Sequence, residues 1–409
     1  MPTGPGDAGV AGLPAEAAFL LTAEGRALLQ RAAAEAGPLH QVVARLRRGA
    51  SAEQVRAALE CVELRRRARA KFDRAGEMYF TPAGLEMASS LAVATHKAGR
   101  FAGVGVVADL CCGIGGDTLG LAAVGPVVGV DLSPVNAAFA AENCRVYGRG
   151  DHVRFRCGDV SAEPPPADAA HIDPDWRAPD GRRNRDPGDY RPPKAVLESL
   201  VARYRNAAVK IATAADFDAL GWDCEVELIS ERGECKQAVC WFGRFRRARR
   251  SATILPAGRR LTDAPGPPPP VRPVGAYVYE PDPAVIRAGL IDRLCAEHGW
   301  AVLDRRIAYL TGDRPVSDPA AAGFRVTDVL AFNLRRIREL LRARGVGTVE
   351  VKKRGLSCDP DRLAAELRGH GDRTATLILA RVGDRATAIL AERLTAEQPP
   401  GDPTGAPGC

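Results

Sequence analysis

The sequence has few of the residues from which metal sites and histidine-based catalytic sites are built. Six histidines are scattered over 409 residues, and aromatic residues make up only 5% of the chain. No Cys-x-x-Cys or His-x-x-x-His pair occurs, so the ligand spacing of a structural zinc site is missing. The eleven cysteines, odd in number and irregularly spaced, do not form a disulfide framework. We therefore predict no metal, and chemistry that depends on carboxylates, backbone groups and a cofactor.

Long hydrophobic runs are also absent. No stretch approaches the length that a bilayer span requires, and the N-terminus shows no basic segment followed by an apolar one. Hydrophobic residues make up 46% and charged residues 26%, as in ordinary globular proteins, and the net charge is +7. These features predict a cytoplasmic protein of two or three domains without a membrane contact.

The hydrophobic periodicity changes along the chain and predicts its organisation. A first region shows helical spacing, and the next alternates short valine-rich runs with helical ones, which is typical of a doubly wound α/β sheet. Two closely spaced runs at the end of that region predict a terminal antiparallel hairpin. The predicted segments are a disordered N-terminus (1–14), a helical module (15–98), the α/β domain (99–262), a proline-rich linker (263–273), an α+β domain (274–395) and a disordered tail (396–409).

One strand-to-helix turn, "VVADLCCGIGGDTLGLA" at residues 106–122, has the composition of a cofactor loop. Its glycine spacing does not fit the G-x-G-x-x-G pattern of dinucleotide-binding loops, and no Gly-Lys-Ser/Thr closes it as in a phosphate-binding loop. Asp109 ends the first strand, where a carboxylate repels a pyrophosphate and suits the ammonium group of a methionine moiety, directly or through water. The loop therefore favours S-adenosylmethionine as its ligand.

Two further acidic residues follow the next two predicted strands. Asp131 ends "VVGVD", where it can accept hydrogen bonds from ribose hydroxyls, and Asp159 follows "VRFRCG", where it can accept one from the adenine amino group. Because the carboxyl ends of parallel strands meet at one edge of a sheet, these acids are expected to surround a single ligand.

These motifs resemble the first three motifs of class I S-adenosylmethionine-dependent methyltransferases, more specifically a bacterial family with a C-terminal THUMP-like domain. The segment "MYFTPAGLEMASSLAVATHKAGRF" resembles the entry to the catalytic domain in that family and, more loosely, in trimethylguanosine synthases. The resemblance implies a Rossmann-like sheet of seven strands, the last pair antiparallel. The residues to which the resemblance and the motifs together assign cofactor binding are Thr81, Asp109, Cys111, Gly113, Gly115, Gly116, Asp117, Asp131, Leu132, Asp159 and Val160. Thr81 is also expected to be the N-cap of a helix with Pro82 at its first position.

The fourth predicted strand ends in "HIDPDWR", which resembles the Asn/Asp-Pro-Pro-aromatic motif of amino methyltransferases. The resemblance implies that Asp173 accepts a hydrogen bond from the substrate amine, together with a backbone carbonyl next to Pro174. Trp176 is the corresponding candidate for stacking on a planar base. The motif departs from the pattern at Asp175, where proline is usual. His171, in the same strand, is expected to be a packed residue and not a catalytic one.

The C-terminal region, with "YVYEPDPAVIRAGLIDRL", "VLAFNLRRIRELLRARGVGTVEVKKRG" and "TLILARVGDRATAIL", resembles the THUMP-like domain of the same family. By analogy with THUMP domains, this implies a structured RNA as the partner. Clusters of arginine and lysine support phosphate contact, although a solvated basic surface explains them as well. The candidate RNA contacts are Arg182, Arg183, Tyr190, Arg246, Arg247, Lys352, Lys353 and Arg354.

We thus predict a methyltransferase that acts on a base amine of structured RNA. Neither DNA nor an obligate protein partner is expected. Two alternatives stay open at this point: a methyltransferase for a protein or small molecule, and an RNA-binding protein whose methyltransferase fold has no turnover. A dehydrogenase is a more distant alternative.

Overall fold

The computed structural model describes residues 12–176 and 189–394, and these form two compact units. The first unit comprises the described residues up to Val226 together with Gln237–Arg247, and the second comprises Glu227–Lys236 and the described residues from Ala248 onward. The division falls within a strand hairpin near residue 230. The domain boundaries that the sequence suggests at residues 98, 262 and 273 stay a prediction.

Six helices come first in the described chain, helices and strands then alternate for the most part from β1 to β5, and both occur in the rest. The helices are α1 (Ala15–Leu20), α2 (Ala23–Ala34), α3 (Leu39–Leu46), α4 (Ala52–Ala68), α5 (Pro82–Met87), α6 (Leu91–Ala98), α7 (Gly116–Leu121), α8 (Pro134–Val146), α9 (Lys194–Tyr204), α10 (Pro283–Ala288), α11 (Ile291–His298), α12 (Leu334–Ala343) and α13 (Pro360–Leu367). The strands are β1 (Val107–Leu110), β2 (Val127–Asp131), β3 (Val153–Cys157), β4 (Ala169–Ile172), β5 (Ala207–Ile211), β6 (Glu225–Glu231), β7 (Glu234–Trp241), β8 (Arg250–Leu255), β9 (Arg259–Thr262), β10 (Tyr277–Pro281), β11 (Ala301–Asp304), β12 (Ile307–Gly312), β13 (Ala321–Ala331), β14 (Val346–Arg354), β15 (Arg373–Val382) and β16 (Arg385–Arg393).

Four of the first six helices, α2, α4, α5 and α6, begin at side-chain caps that the sequence supplies. Ser51 caps α4 in a reciprocal capping box with Gln54, and Ser90 caps α6. The buried faces of these helices join the core of the first sheet, because a single cluster of buried side chains includes Leu28, Phe80 and Phe139. The helical region and the sheet therefore share a hydrophobic core.

The sheet that the sequence predicts begins in the first unit, which holds β1 to β5. Its first seven strands run in the order β3-β2-β1-β4-β5-β7-β6, with β1 to β5 parallel and β7 antiparallel to β5, and β8 and β9 follow β6 to give nine strands. This order confirms the Rossmann-like prediction, including the antiparallel last pair. It also places the loops after β1, β2, β3 and β4 at one edge of the sheet, on both sides of the point where the strand order reverses, which is where open α/β sheets bind ligands.

The second unit is an α+β fold. Its main sheet runs β11-β12-β10-β13-β16-β15-β14, with β14 and β15 parallel and the other neighbours antiparallel. The helical stretch from residue 284 to 299, which reads as one helix in sequence, is two helices. The reason is Gly289, whose φ of 71° lies in the left-handed region and ends α10.

Among the described residues, no helix combines the length and the apolar character needed to cross a membrane.

Candidate active site

A cavity of about 770 Å³ opens at the carboxyl ends of β1 to β4, within the size range of small-molecule sites. Loops after the four strands form one side, and the segment from Thr81 to Ser89 and the start of α9 form the other. The sequence-predicted residues that line it are Thr81, Cys111, Gly113, Gly116, Asp117, Asp131, Leu132, Asp159, Val160 and Asp173. Ten of the predicted residues therefore line a single cavity.

The loop after β1 takes the backbone conformation that its glycines allow. Gly113 and Gly115 have φ angles of 55° and 84°, in the left-handed region that favours glycine. A Cβ on Gly115 would lie 3.1 Å from that of Ala140, so the loop packs closely on α8. A Cβ on Gly113 would meet no protein atom within 4 Å, so its backbone faces open space. Gly115 thus packs the loop on α8, and the backbone at Gly113 leaves room for a ligand in the cavity.

The segment that enters the domain is fixed to this loop by buried hydrogen bonds. Asn143, fully buried in α8, donates to the carbonyls of Tyr79 and Ile114 at 3.0 and 2.9 Å and accepts from the Tyr79 amide at 2.7 Å. Thr81 accepts from the Gly84 amide at 3.0 Å with Pro82 at the first helical turn, which confirms the predicted cap. Helix α5 is thereby held against the cavity.

Asp131 and Asp159 differ in how much of their acceptor capacity is used. The Asp131 carboxylate accepts from the Gly113 amide at 2.8 Å, from the Ser133 amide at 2.9 Å and from the Asn136 side chain at 3.1 Å. It is 9% exposed and stabilises the loop itself. Asp159 is exposed, and the hydroxyl and amide of Ser161 lower its pKa through hydrogen bonds at 2.7 and 2.8 Å.

Asp109 does not line the cavity. Its side chain is fully buried, with one oxygen 2.9 Å from Nδ1 of His171 and the other 2.5 Å from the hydroxyl of Thr118. Direct contact between Asp109 and the ammonium group of a methionine moiety is therefore corrected, and contact through water stays a prediction. Both of its oxygens already have protein partners, so the residue supports the loop from below.

Asp117 lies at the cavity wall in a network of buried polar groups. Its Oδ1 is 2.6 Å from Nζ of Lys97, its Oδ2 accepts from Ser89 at 2.7 Å, and Gln237 donates to the Ser89 hydroxyl at 2.5 Å. Burial opposes ionisation of Asp117, but Lys97, His171 and other positive charges outweigh it and hold its pKa well below the ordinary value. A carboxylate that stays charged thus faces the cavity.

Asp173 forms the other acidic wall and is paired with Lys210 of β5. Nζ of Lys210 lies 2.7 Å from Oδ2 of Asp173 and donates to the Met87 carbonyl at 3.1 Å. Oδ1 of Asp173 is buried and has no hydrogen-bond partner among the described residues. Burial raises the pKa of Asp173 above its ordinary value, with Lys210 counteracting. One acceptor atom of a residue that lines the cavity therefore has no partner among the described residues.

Family models and relatives agree with this geometry. A model described as RNA cap guanine-N2 methyltransferase matches residues 104–210, one described as THUMP domain-like matches residues 321–393, and one of a domain of unknown function matches residues 14–68. Two Mycobacterium tuberculosis proteins, from strains CDC 1551 and H37Rv, are named S-adenosylmethionine-dependent methyltransferases. Each is 36% identical to this chain over 339 residues, covering 80% of this chain and 92% of its own length.

The chain belongs to the S-adenosylmethionine-dependent methyltransferases. A structure from Porphyromonas gingivalis W83, provisionally described as a methyltransferase, has the same fold with a TM-score of 0.72. It is 18% identical, and the match covers 90% of this chain and 98% of that one. These findings confirm the resemblance to the methyltransferases with a THUMP-like domain.

The cofactor of this methyltransferase is S-adenosylmethionine, and the cavity fits it chemically. Asp117 offers a charged acceptor of the kind an ammonium group needs, and Asp131 lies at the end of β2. The open backbone at Gly113 allows close approach of a ligand. The residues present thus suit a cation with a sugar attached.

The second half of the predicted catalytic motif is only partly at the cavity. Pro174 and Trp176 do not line it, and Trp176 is half-buried. Asp175 does line it and exchanges backbone hydrogen bonds with Arg191 at 2.9 and 2.8 Å. This bridge brings together the two chain segments that flank residues 177–188, which lie outside the described residues. Arg182 and Arg183 fall in that gap.

The structure corrects one RNA contact predicted for the methyltransferase unit. Tyr190 is 2% exposed and its hydroxyl accepts from the Ala212 amide at 3.1 Å, so its ring is packed inside the protein and cannot stack on a base. Arg246 and Arg247 are exposed. Arg246 pairs with Asp223.

In the second unit, the predicted basic strand presents its charges on alternating faces. Lys352 lies 2.8 Å from Glu280, and Arg354 lies 3.3 Å from the same carboxylate. Lys353, on the other face, is exposed and donates to the Cys358 carbonyl. Two of the three predicted cations are therefore partly neutralised by the protein.

Sequence reasoning missed the buried partners of the site. These are Ser89, Lys97, Lys210 and Gln237, all at least nine-tenths buried. Lys210 carried a signal, because it is a single charged residue in an otherwise apolar strand, "AAVKI". A buried charge needs a partner of opposite charge, so that pattern indicates a nearby carboxylate.

Proposed function

We propose that this methyltransferase transfers a methyl group to the exocyclic amine of a base in structured RNA. The observation that carries the proposal is the buried Oδ1 of Asp173, an acceptor without a partner among the described residues at the end of β4. A buried acceptor that is left unsatisfied costs about 1–3 kcal/mol, so a ligand that donated a hydrogen bond to this atom would remove that cost. An amine N–H is such a donor.

Each polar group of the cofactor has a candidate aspartate partner. Asp117 takes the ammonium group through an acceptor site that Lys97 and Ser89 leave unused, since its charge is retained and, unlike Asp109, it lies at the cavity wall. Asp131 already accepts three bonds, and a carboxylate has about four acceptor sites, so we expect one strong bond to a ribose hydroxyl. Asp159 takes the adenine amino group. When bound, S-adenosylmethionine supplies an electrophilic methyl group on a sulfonium.

The chain's own residues then orient the amine and take its proton. A hydrogen bond from one N–H to Oδ1 of Asp173 fixes the rotation of the amine and directs the nitrogen lone pair into the cavity. The amine loses a proton once nitrogen gains its fourth bond. Asp173 is positioned to accept it, and its raised pKa makes it a better base than an exposed aspartate.

Guanine suits this acceptor better than adenine. The Watson–Crick edge of guanine carries an N–H next to its exocyclic amine, whereas that of adenine carries an acceptor nitrogen there, which a carboxylate repels. An ionised aspartate accepts hydrogen bonds only. The match of residues 104–210 to a guanine-N2 methyltransferase family supports the same base.

Two further observations support RNA as the substrate class. The chain matches a THUMP domain-like model over residues 321–393. Arg246 and Arg247 are exposed basic residues in the same unit as the cavity, and a phosphate could bind Arg247 or compete with Asp223 for Arg246.

The test is methyl transfer from labelled S-adenosylmethionine to total RNA from cells that lack this gene. We expect label that ribonuclease removes and protease does not. Asp173→Ala abolishes the label but keeps cofactor binding in calorimetry. Cofactor binding without label in RNA would contradict the substrate class, and label in protein or metabolites would identify the alternative.

A further inference from the structure

Lys210 is a buried charge with a restricted set of partners. It is 3% exposed and lies in β5, whose five residues are all buried. Such a lysine is stable as an ammonium only if its hydrogen-bond donors are used and a negative charge is near. Asp173 and the Met87 carbonyl provide these at 2.7 and 3.1 Å, and the pKa of Lys210 is raised by Asp173 and Asp117 in spite of its burial.

The pairing makes the Asp173 carboxylate asymmetric. Oδ2 is bonded to Lys210, and Oδ1 has no hydrogen-bond partner among the described residues. Rotation of the carboxylate by half a turn exchanges the two oxygens, whereas a rotation of about a quarter turn would weaken the bond to Lys210. Lys210 itself is held by the carbonyl of Met87, the last residue of α5, which also lines the cavity.

Other charges face this pair from neighbouring elements. Asp117 of α7 raises the pKa of Asp173, and Lys97 of α6 lowers it. Asp109 of β1 acts on Lys210, and the Cys111 thiol, whose pKa burial and nearby carboxylates raise, stays neutral. Lys210 is thus the cation in direct contact with Asp173 among the described residues.

We propose that Lys210 is a positioning residue for methyl transfer, which keeps Asp173 ionised and turns its Oδ1 toward the substrate amine. The inference rests on the proposed function, because it assigns Asp173 the role of amine acceptor. Lys210 contacts neither substrate nor cofactor in this account and acts only through Asp173.

Lys210→Met tests the proposal, with Lys210→Arg as the matched variant that keeps the charge. An opposite charge at this distance lowers a carboxyl pKa by about 1–3 units, so its loss moves the titration of Asp173 upward by that amount. The acid limb of the pH profile of kcat moves upward equally. On the acid limb we expect kcat to fall up to tenfold for each unit by which the titration moves, because the ionised fraction falls by that factor, with recovery as the pH is raised.

Three controls distinguish a positioning role of Lys210 from a folding defect in the variant. Binding of S-adenosylmethionine stays within about threefold of wild type, Lys210→Arg regains part of kcat, and Lys210→Met adds nothing to the defect of Asp173→Asn. A lower kcat with an unmoved acid limb, or additive defects in the double variant, overturns the proposal.

A second measurement is independent of the substrate. Isotope-edited infrared spectroscopy of aspartate side chains, with Asp173→Asn as the reference, follows protonation of Asp173 in the intact protein. The proposal predicts that Asp173 protonates at higher pH in Lys210→Met than in wild type, and an unchanged titration contradicts it. If the titration moves but wild type methylates no RNA, the assigned substrate fails while the link from Lys210 to Asp173 stands.

Discussion

Replacement of Lys97 by methionine tests the charge network at the cavity wall. Lys97 is 1% exposed, lies 2.6 Å from Asp117, and also reaches the Ser89 hydroxyl at 3.2 Å. Methionine has a similar length and no charge, so the variant keeps most of the packing. It leaves the Asp117 carboxylate, itself 6% exposed, without its nearest counter-ion.

Removal of one partner from a buried ion pair costs about 3–5 kcal/mol, because the other charge stays desolvated and unpaired. For a unit of this size, that corresponds to a fall in Tm of roughly 6–20 °C. Lys194→Met is the matched control. Lys194 pairs with Glu198 at 3.7 Å in an exposed part of α9, where such a pair contributes at most about 1 kcal/mol.

The stability of wild type and that of Lys97→Met also respond differently to pH. In wild type the pKa of Asp117 is lower in the folded protein than its ordinary value near 3.8. The ionised carboxylate therefore stabilises the fold at pH values above 3.8, and this stabilisation is lost as the pH falls through the pKa of the folded protein. Removal of Lys97 takes away the largest charge that opposes the burial of Asp117, so the pKa of Asp117 rises and its protonation on acidification relieves the unpaired charge. The loss of stability in Lys97→Met is therefore largest near pH 7 and shrinks as pH falls toward 4.

Chemical denaturation at a series of pH values measures both effects, with thermal unfolding as a check. Addition of Asp117→Asn to Lys97→Met removes the unpaired charge and should recover part of the stability at pH 7. A loss below about 1 kcal/mol, or a loss that does not shrink on acidification, would refute the argument that this pair is buried and mutually dependent.

Two further substitutions test the cofactor loop. Asp131→Asn should weaken S-adenosylmethionine binding about tenfold to a hundredfold in calorimetry, because a hydrogen bond to a charged group contributes about 1.5–3 kcal/mol. The same change at the exposed Asp159 should cause a smaller loss of affinity. Equal losses would contradict the argument from the different burial of the two acids. Gly115→Ala should lower the free energy of unfolding in urea by more than Gly148→Ala does. Both residues have a positive φ, which costs an alanine about 1–3 kcal/mol, but only at Gly115 would the new Cβ also contact Ala140. Equal costs would show that the loop can move away from α8.

The sequence predicts the parts of the site that depend on local pattern. Glycines with acids at successive strand ends are visible without a structure, because parallel strands bring their carboxyl ends to one edge. Asp131 and Asp159 follow from this logic, and both line the cavity. The break between α10 and α11 is also local, but a glycine within a helical pattern marks an end only when its φ is positive, as at Gly289.

The sequence does not reveal which charges are paired inside the protein. Asp109 and Asp117 are close in the chain, yet one is bound beneath the loop by His171 and the other lies at the cavity wall. Lys210 finds Asp173 from a separate strand. Such pairs depend on packing between elements, which a single sequence does not fix. Tyr190 illustrates the same limit, since an aromatic residue among arginines is typical of RNA contact but here is packed inside the protein.

The identity of the methylated nucleoside is the most direct test of the account. RNA labelled by the wild-type protein is digested to nucleosides, and the product that carries the label is identified by chromatography and mass spectrometry. The account predicts a methyl group on an exocyclic amine, with N2-methylguanosine as the product, and no label with Asp173→Ala. A methyl group on ribose or on a ring carbon would contradict the role of Asp173, and N6-methyladenosine would contradict the preference of its carboxylate for guanine.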